Sequence, residues 1–196
     1  MKIRIHIKER LQKGVMDMVY VHLADGFEEI EALTIVDVLR RAGVDAKTVS
    51  MGEGKMVRGA HDIKVEADLM FAEADYEACE MIVLPGGQPG TTNLSKHEGL
   101  AKQINAFAQN GKWIAAICAA PVVLGGLSLL KGKRATSYPG TQLEGAIYSE
   151  DRVVRDGRII TSRAPGTAME FSLELVKQLK GEEAVAQLKK AMLVLL

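Results

Sequence analysis

Cysteine is scarce in this chain of 196 residues: only Cys79 and Cys118 occur. That is too few for a disulfide framework, and no secretory apolar segment precedes them, so a reducing cytoplasm is the expected setting. An excess of charge of one sign is missing as well, because 25 Lys+Arg balance 25 Asp+Glu. No surface for stable nucleic-acid binding or for an anionic membrane is therefore expected. No apolar run is long and uninterrupted enough to span a bilayer. The histidines His6, His22, His61 and His97 show no metal-ligand spacing, and neither Cys-x-x-Cys nor His-Glu-x-x-His occurs, so no metal is expected. The stretch LPGGQPG is not followed by Gly-Lys-Ser/Thr, and no Gly-x-Gly-x-x-Gly lies near the first strand. With the usual phosphate and nicotinamide signatures lacking, no cofactor is expected.

What is present is a 47% hydrophobic, 26% charged composition of a length that fits one ordinary domain. The opening MKIRIHIKERLQKG alternates isoleucine with basic residues and lacks the composition of a core strand. Residues 1–17 are expected to be an extension outside the domain, non-native or disordered, with natural translation starting at Met16 or Met18; residues 18–196 form the single domain. MVYVHLA (18–24) reads as a buried strand. EEIEALTIVDVLRRAG (28–43) reads as a helix with acids in its first turn, Arg40 and Arg41 in its last and Gly43 as its stop. DAKTVSM is the next strand, KMVRGAHDIKVEAD a short β excursion, EMIVLPGG a strand ending in a glycine pair, and EGLAKQINAFAQNG an amphipathic helix. KWIAAIC is a further buried strand, APVVLGGLSLLKG a helix, RATSY and RIITS later strands, and RVVRDGRII a hairpin through Asp156-Gly157. Helices over about 166–180 and 182–193 close the chain. Strands rich in Val, Ile and Leu joined through helices predict an α/β fold: a three-layer α/β/α sandwich with a mostly parallel sheet.

In such sheets sites form at the carboxyl ends of strands, and three strand ends carry chemistry. The first is AAICAAP, where Cys118 ends a strand and Pro121 suits the first turn of the next helix. Cys118 has two readings: a small buried hydrophobe, or a nucleophile on a tight elbow made possible by Ala119 and Ala120. In the second reading the thiol is expected to ionise below its reference of about 8.5. The second strand end, Gly86-Gly87, brings backbone N–H groups to the sheet edge. With the N–H of Ala119 they could form an oxyanion hole, although glycines after strands are also ordinary turn residues. The third offers Glu28, Glu29 and Glu31 in the first turn of a helix, where acids complement the macrodipole. Glu31 and Glu28 both fit an inward orientation, and a carboxyl held there against apolar neighbours and a thiolate would have a raised pKa. Cys79 reads as an inert packing residue.

Taken together, LADGFEEIEALTIVDVLRRAG, VLPGGQPGTTNLS, WIAAICAAP and ITSRAPGTAMEFSLELV resemble, in order and spacing, the ThiJ/PfpI superfamily. The branch they are most similar to holds bacterial ThiJ/YajL proteins and the parkinsonism-associated protein deglycase. The resemblance covers the chain from residue 18 onward. It implies a flavodoxin-like sandwich, a homodimer, and a reactive cysteine at Cys118 partnered by a protonated glutamate at Glu31, with oxyanion contacts from Gly87 and Ala119. It also implies cofactor-independent glyoxalase or deglycase activity on small reactive dicarbonyls such as methylglyoxal and on glycated proteins or nucleotides. The alternative it carries is a redox-sensing or chaperone-like role for an oxidisable Cys118. Two departures stand out: Ala119 occupies the place of the histidine that follows the cysteine in peptidase-like and holdase members, and Tyr138 matches a histidine of the deglycase. Gly86 and Tyr138 complete the expected substrate-binding set. A phenol with a reference pKa of about 10 is a poor base near neutrality.

Overall fold

The computed structural model describes residues 17–195; the expected extension over residues 1–17 falls outside that range except for Asp17. A seven-stranded sheet runs in the order β10-β11-β7-β6-β1-β2-β5. Its strands are β1 (Met18–Leu23), β2 (Asp45–Ser50), β5 (Leu69–Met70), β6 (Cys79–Leu84), β7 (Trp113–Ile117), β10 (Val153–Asp156) and β11 (Ile159–Ser162). All neighbours are parallel except β10 and β11, which form the antiparallel hairpin expected at Asp156-Gly157. A separate hairpin of β3 (Met56–Arg58) and β4 (Lys64–Glu66) leaves the sheet between β2 and β5.

Alternation along the strands builds two apolar layers. Val19, Val21 and Leu23 of β1 face one layer and Tyr20 faces the other. On the first, Ala32, Ile35, Val38 and Leu39 of α1 (Glu29–Arg41) meet Phe171, Leu175 and Val176 of α5 (Ala168–Lys180). On the second lie Leu94 of α2 (Gly90–Lys96), Leu100, Ile104 and Phe107 of α3 (Glu98–Gln109), and Leu124 of α4 (Pro121–Gly126). The last helix, α6 (Glu182–Ala191), adds Leu188 to the first layer. Burial on both faces is why the strands read as near-continuous apolar runs. The predicted α/β/α sandwich with a mostly parallel sheet is the fold observed.

Two elements differ from expectation. The helix after Cys118 was expected to reach residue 132, but α4 stops at Gly126. Two consecutive glycines, each costing about 0.8–1 kcal/mol against alanine in a helix, end it, and Ser128 turns into the left-handed region at φ 59°. RATSY does not add a sheet strand: only β8 (Arg134–Ala135) pairs, with β9 (Ile147–Tyr148), in a two-stranded ribbon of its own. The next donors go elsewhere, Thr136 N to Thr161 Oγ1 at 2.9 Å and Tyr138 N to Cys118 O at 2.8 Å. The helix α2 lies outside the predicted elements, its Gly-Thr-Thr start having the composition of a turn.

From β1 the chain moves outward through β2 to β5, then returns to β6 and moves the other way through β7 to β11. The switch point between β1 and β6 opens a crevice at their carboxyl ends. The segments bearing Glu31, Gly86 and Cys118 all start there.

His22 of β1 is fully buried, with Nε2 2.8 Å from the Tyr76 hydroxyl and Nδ1 3.4 Å from Val83 O. Burial holds its pKa down to about 4, from an ordinary 6.5, helped by the neighbouring His97. Between those values the unfolded chain binds a proton that the native state refuses, so stability falls as pH falls through the window. The loss amounts to about 3 kcal/mol. Urea midpoints taken from pH 7 to 4.5 should show this slope, and His22→Gln should flatten it; equal slopes in both proteins would refute the assignment.

Candidate active site

Cys118 follows β7 directly and takes φ 64°, a left-handed conformation that costs a non-glycine residue about 1–2 kcal/mol. Neighbouring segments hold it there. Its N–H donates to Ser162 O at the end of β11 (3.0 Å), and its carbonyl accepts from Tyr138 N (2.8 Å). Ala120 N then closes onto Ile117 O at 3.1 Å, and Pro121 occupies the first turn of α4. The sequence-predicted elbow is thus present, with the residue 9% exposed.

Glu31 arrives from α1 and is completely buried. Its Oε2 accepts from Gly86 N at 2.8 Å, while Oε1 is buried with no hydrogen-bond partner. An unsatisfied buried carboxylate oxygen is costly, and protonation relieves that cost. Burial accordingly pushes the Glu31 carboxyl up to about 7, against the Gly86 amide and the Cys118 thiol, which pull it down. Glu28, the open alternative in sequence, lies against the His61 ring, and its charge adds the smallest upward push on Glu31.

The glycine pair allows this approach. A Cβ on Gly86 would lie 2.6 Å from Cys118 Cβ and 2.9 Å from Glu31 Oε2, and Gly87 sits at φ 90° against the backbone of Phe27 and Glu28. Gly86 spends its N–H on Glu31, so within the site it orients the carboxyl. The amides of Gly87 and Ala119 reach the Cys118 sulfur instead. The expectation of a thiol ionising below its ordinary value is corrected: burial pushes Cys118 up to about 12, followed by the charge of Glu31, with the two amides opposing. Only when Glu31 holds the proton does the repulsion vanish. Thiol and carboxyl form a coupled pair in which the proton's location decides which group is anionic.

Tyr138 contributes its backbone to the elbow; its ring is 50% exposed and makes no side-chain hydrogen bond among the described residues. Ser162 O, which pins the nucleophile, was not singled out from sequence, and only its place in ITSRAPG hinted at it. Cys79 is fully buried, its thiol donates to Met81 O at 3.2 Å, and burial pushes it up to about 12, in keeping with a packing role.

Sequence spacing also could not bring His61 to α1. Glu29 Oε1 accepts from His61 N (2.7 Å), and His61 Nδ1 lies 2.9 Å from Glu29 Oε2 and 3.5 Å from Glu28 Oε2. Among the described residues these three side chains are the group whose potential ligand atoms lie within 4.8 Å of one another. Burial pushes Glu29 up, but the His61 hydrogen bonds outweigh it and hold the carboxyl below its usual range, while Glu29 raises His61. This clasp ties the β3–β4 hairpin to the helix that carries Glu31.

With a strained cysteine, a buried carboxyl and two converging amides in place, the comparisons are decisive. Residues 17–178 match the DJ-1/PfpI family. The chain belongs to this family. It is 40% identical to DJ-1 homolog B of Arabidopsis thaliana over 179 residues, 90% of this chain and 41% of that protein. The chain spans less than half the length of the two Arabidopsis relatives. It is 37% identical to Drosophila melanogaster dj-1beta over 178 residues, 89% of this chain and 95% of that one. A Pyrococcus abyssi protein named a deglycase is 34% identical over 163 residues, 80% of this chain and 96% of its own. Among solved structures, oxidized Toxoplasma gondii DJ-1 superposes with a TM-score of 0.88 at 34% identity, covering 92% of this chain and all of that one. Among the described residues no helix is long and apolar enough to cross a membrane.

The coupled pair makes a signed prediction for the DJ-1/PfpI elbow. Above pH 8 the parent carries an ionised Glu31 that opposes the thiolate, so Glu31→Gln should react faster with iodoacetamide at Cys118. Rates measured from pH 6 to 10 would contradict this if the variant were slower throughout.

Proposed function

We propose that the protein is a cysteine-dependent, cofactor-independent glyoxalase and deglycase acting on methylglyoxal and on early glycation adducts. The observation that carries this reading is the buried, half-satisfied Glu31 carboxyl beside a cysteine held at positive φ. The match to a protein named a deglycase supports the same chemistry.

The reacting form carries the proton on Glu31 and the charge on Cys118; with the thiol pushed to about 12 and the carboxyl to about 7 it is the minor partner of the form in which Cys118 keeps its proton, and it is drawn off as it reacts. The thiolate adds to the aldehyde carbon of methylglyoxal, and the new alkoxide, facing the Gly87 and Ala119 amides, takes the Glu31 proton to give a hemithioacetal. The carboxylate then removes the proton from the sulfur-bearing carbon. An enediolate forms, Glu31 returns that proton to the adjacent carbon, and the hydroxyl proton passes from the oxygen of the sulfur-bearing carbon to the neighbouring oxygen. The aldehyde carbon has been oxidised to a thioester and the ketone reduced to an alcohol, so no external oxidant is consumed. Water hydrolyses the thioester to lactate and frees the thiol. In an early amine adduct the sulfur displaces the amine, breaking carbon–nitrogen and forming carbon–sulfur while the departing nitrogen takes the Glu31 proton, and the same hemithioacetal follows beside a Glu31 carboxylate. A carboxyl pushed to about 7 suits this work, since it holds and releases a proton near neutrality.

The second reading is a redox sensor with chaperone-like behaviour. Peroxide would oxidise the thiol to a sulfenic acid and leave as water; the relative solved in an oxidized form favours it. Lactate formation separates the two. Multiple turnovers by the parent and at least a hundredfold loss in Cys118→Ser support the enzyme. Turnover unchanged in Cys118→Ser, or stoichiometric oxidation with no lactate, overturns it.

Two further expectations belong to the same reading. A cytoplasmic setting is supported by Cys79 and Cys118 both being free thiols. A homodimer is supported by Ile30, Leu33 and Ile63, large apolar side chains left exposed on α1 and the β3–β4 hairpin. Sedimentation equilibrium should give twice the chain mass, and Ile30→Glu should shift it toward the monomer; a monomeric parent would remove the dimer.

A further inference from the structure

Glu28 stands at the N-cap of α1, where a side-chain oxygen ordinarily accepts from the first amides of the helix. It does not cap here. Its carboxylate accepts no hydrogen bond among the described residues, although the side chain is only 10% exposed, and Oε2 lies 3.5 Å from His61 Nδ1. A buried carboxylate without a hydrogen bond is costly, and the group it faces is already engaged. His61 Nδ1 lies 2.9 Å from Glu29 Oε2, and a ring nitrogen carries one proton at most. Glu29 is buried as deeply, its side chain 5% exposed, and its other oxygen, Oε1, accepts from the His61 and Ile63 amides. Among the described residues no lysine or arginine pairs with either carboxylate. Two buried anions thus share a single imidazole proton.

The three side chains offer two oxygens and a nitrogen, all within 4.8 Å of one another. Zinc–nitrogen and zinc–oxygen distances of about 2.0–2.2 Å place neighbouring ligand atoms of a tetrahedron about 3.3–3.6 Å apart. The spacings of His61 Nδ1 from the two carboxylates, 2.9 and 3.5 Å, lie close to that range. A divalent ion in place of the Nδ1 proton, which passes to solvent, would balance both carboxylates and use the imidazole lone pair. The donor set selects the class of metal: imidazole suits zinc and its transition-metal neighbours, whereas magnesium and calcium take oxygen ligands. The His61 side chain is 68% exposed, which gives an ion its path and leaves a fourth position to water. Gly59 keeps the space clear, since a side chain there would collide with the Glu29 carboxylate. His61 lies in the turn between β3 and β4, 32 residues from Glu29, so no local spacing in the sequence announces the group.

We infer that Glu28, Glu29 and His61 form a binding site for one divalent cation of the zinc class, which fastens the β3–β4 hairpin to the start of α1. The ion's role is structural and it takes no step in the chemistry at Cys118. The inference therefore goes beyond the proposed reaction and does not depend on it.

The test is metal binding by the whole chain, with no turnover involved. Zn²⁺ is titrated calorimetrically into the parent and into His61→Ala, Glu28→Gln and Cys118→Ser, with Co²⁺ as the coloured substitute. His61 is exposed, so its replacement leaves the packing intact, and circular dichroism checks that each variant is folded. The parent should bind one Zn²⁺ per chain at micromolar affinity, and Cys118→Ser should match it. His61→Ala and Glu28→Gln should each bind at least about tenfold more weakly, a loss that removing even an outer partner of a metal ligand produces. Co²⁺ should give visible d–d bands without the near-ultraviolet charge-transfer band of a thiolate ligand, and millimolar Mg²⁺ should not displace it. No micromolar Zn²⁺ binding to the parent, an unchanged affinity in His61→Ala, or a thiolate charge-transfer band that disappears in Cys118→Ser would each overturn the assignment. Methylglyoxal consumption, assayed separately, decides the Cys118 reading, so the two failures are distinguishable.

Discussion

The hydrogen bond from Gly86 N to Glu31 Oε2, 2.8 Å long, joins the end of β6 to the first turn of α1 across the switch point of the sheet. Everything at the site is arranged around the carboxyl it holds. It satisfies one oxygen of a buried acid and leaves the other without a partner, so the acid is held in place but remains near the point of gaining a proton. Burial alone would make such a group neutral, and the bond alone would make it an ordinary anion. The two together hold it at about 7.

The same constraint explains the glycines and the strain. Gly86 must lack a side chain because Cys118 and Glu31 occupy the space where one would sit. Cys118 must adopt φ 64° because its backbone is tied to Ser162 on one side and Tyr138 on the other, and only that turn presents its sulfur to the Gly87 and Ala119 amides. Strain of about 1–2 kcal/mol is tolerable in a turn bounded by a fully buried strand. The clasp of Glu28 and Glu29 on His61 extends the arrangement to the β3–β4 hairpin, fixing the start of the helix that delivers Glu31.

Residues 138 and 162 hold the backbone of the nucleophile, and the chain beyond them walls a separate cavity lined by Tyr148, Glu150 and Arg163.

Local pattern was enough for the sheet and most helices. The apolar runs at 18–23, 79–84 and 113–117 and the apolar stripe of 29–41 follow from periods of 2 and 3.6, and Asp156-Gly157 is a local hairpin signal. Family-level likeness in the motifs around Glu31, Gly87 and Cys118 points to the candidate site. What those patterns do not contain is the interaction between distant segments. The early end of α4, the diversion of Thr136 and Tyr138 from strand pairing, and the meeting of His61 with Glu29 depend on partners far along the chain. The raised pKa of Cys118 belongs with them: a cysteine's neighbours in sequence say it can sit on an elbow, but its burial and the charge of Glu31 beside it come only with folding. The sequence by itself therefore determined the layers and named the groups. The tertiary structure decided their burial and charge states, because electrostatic and packing energies depend on distances between residues that sequence order does not set.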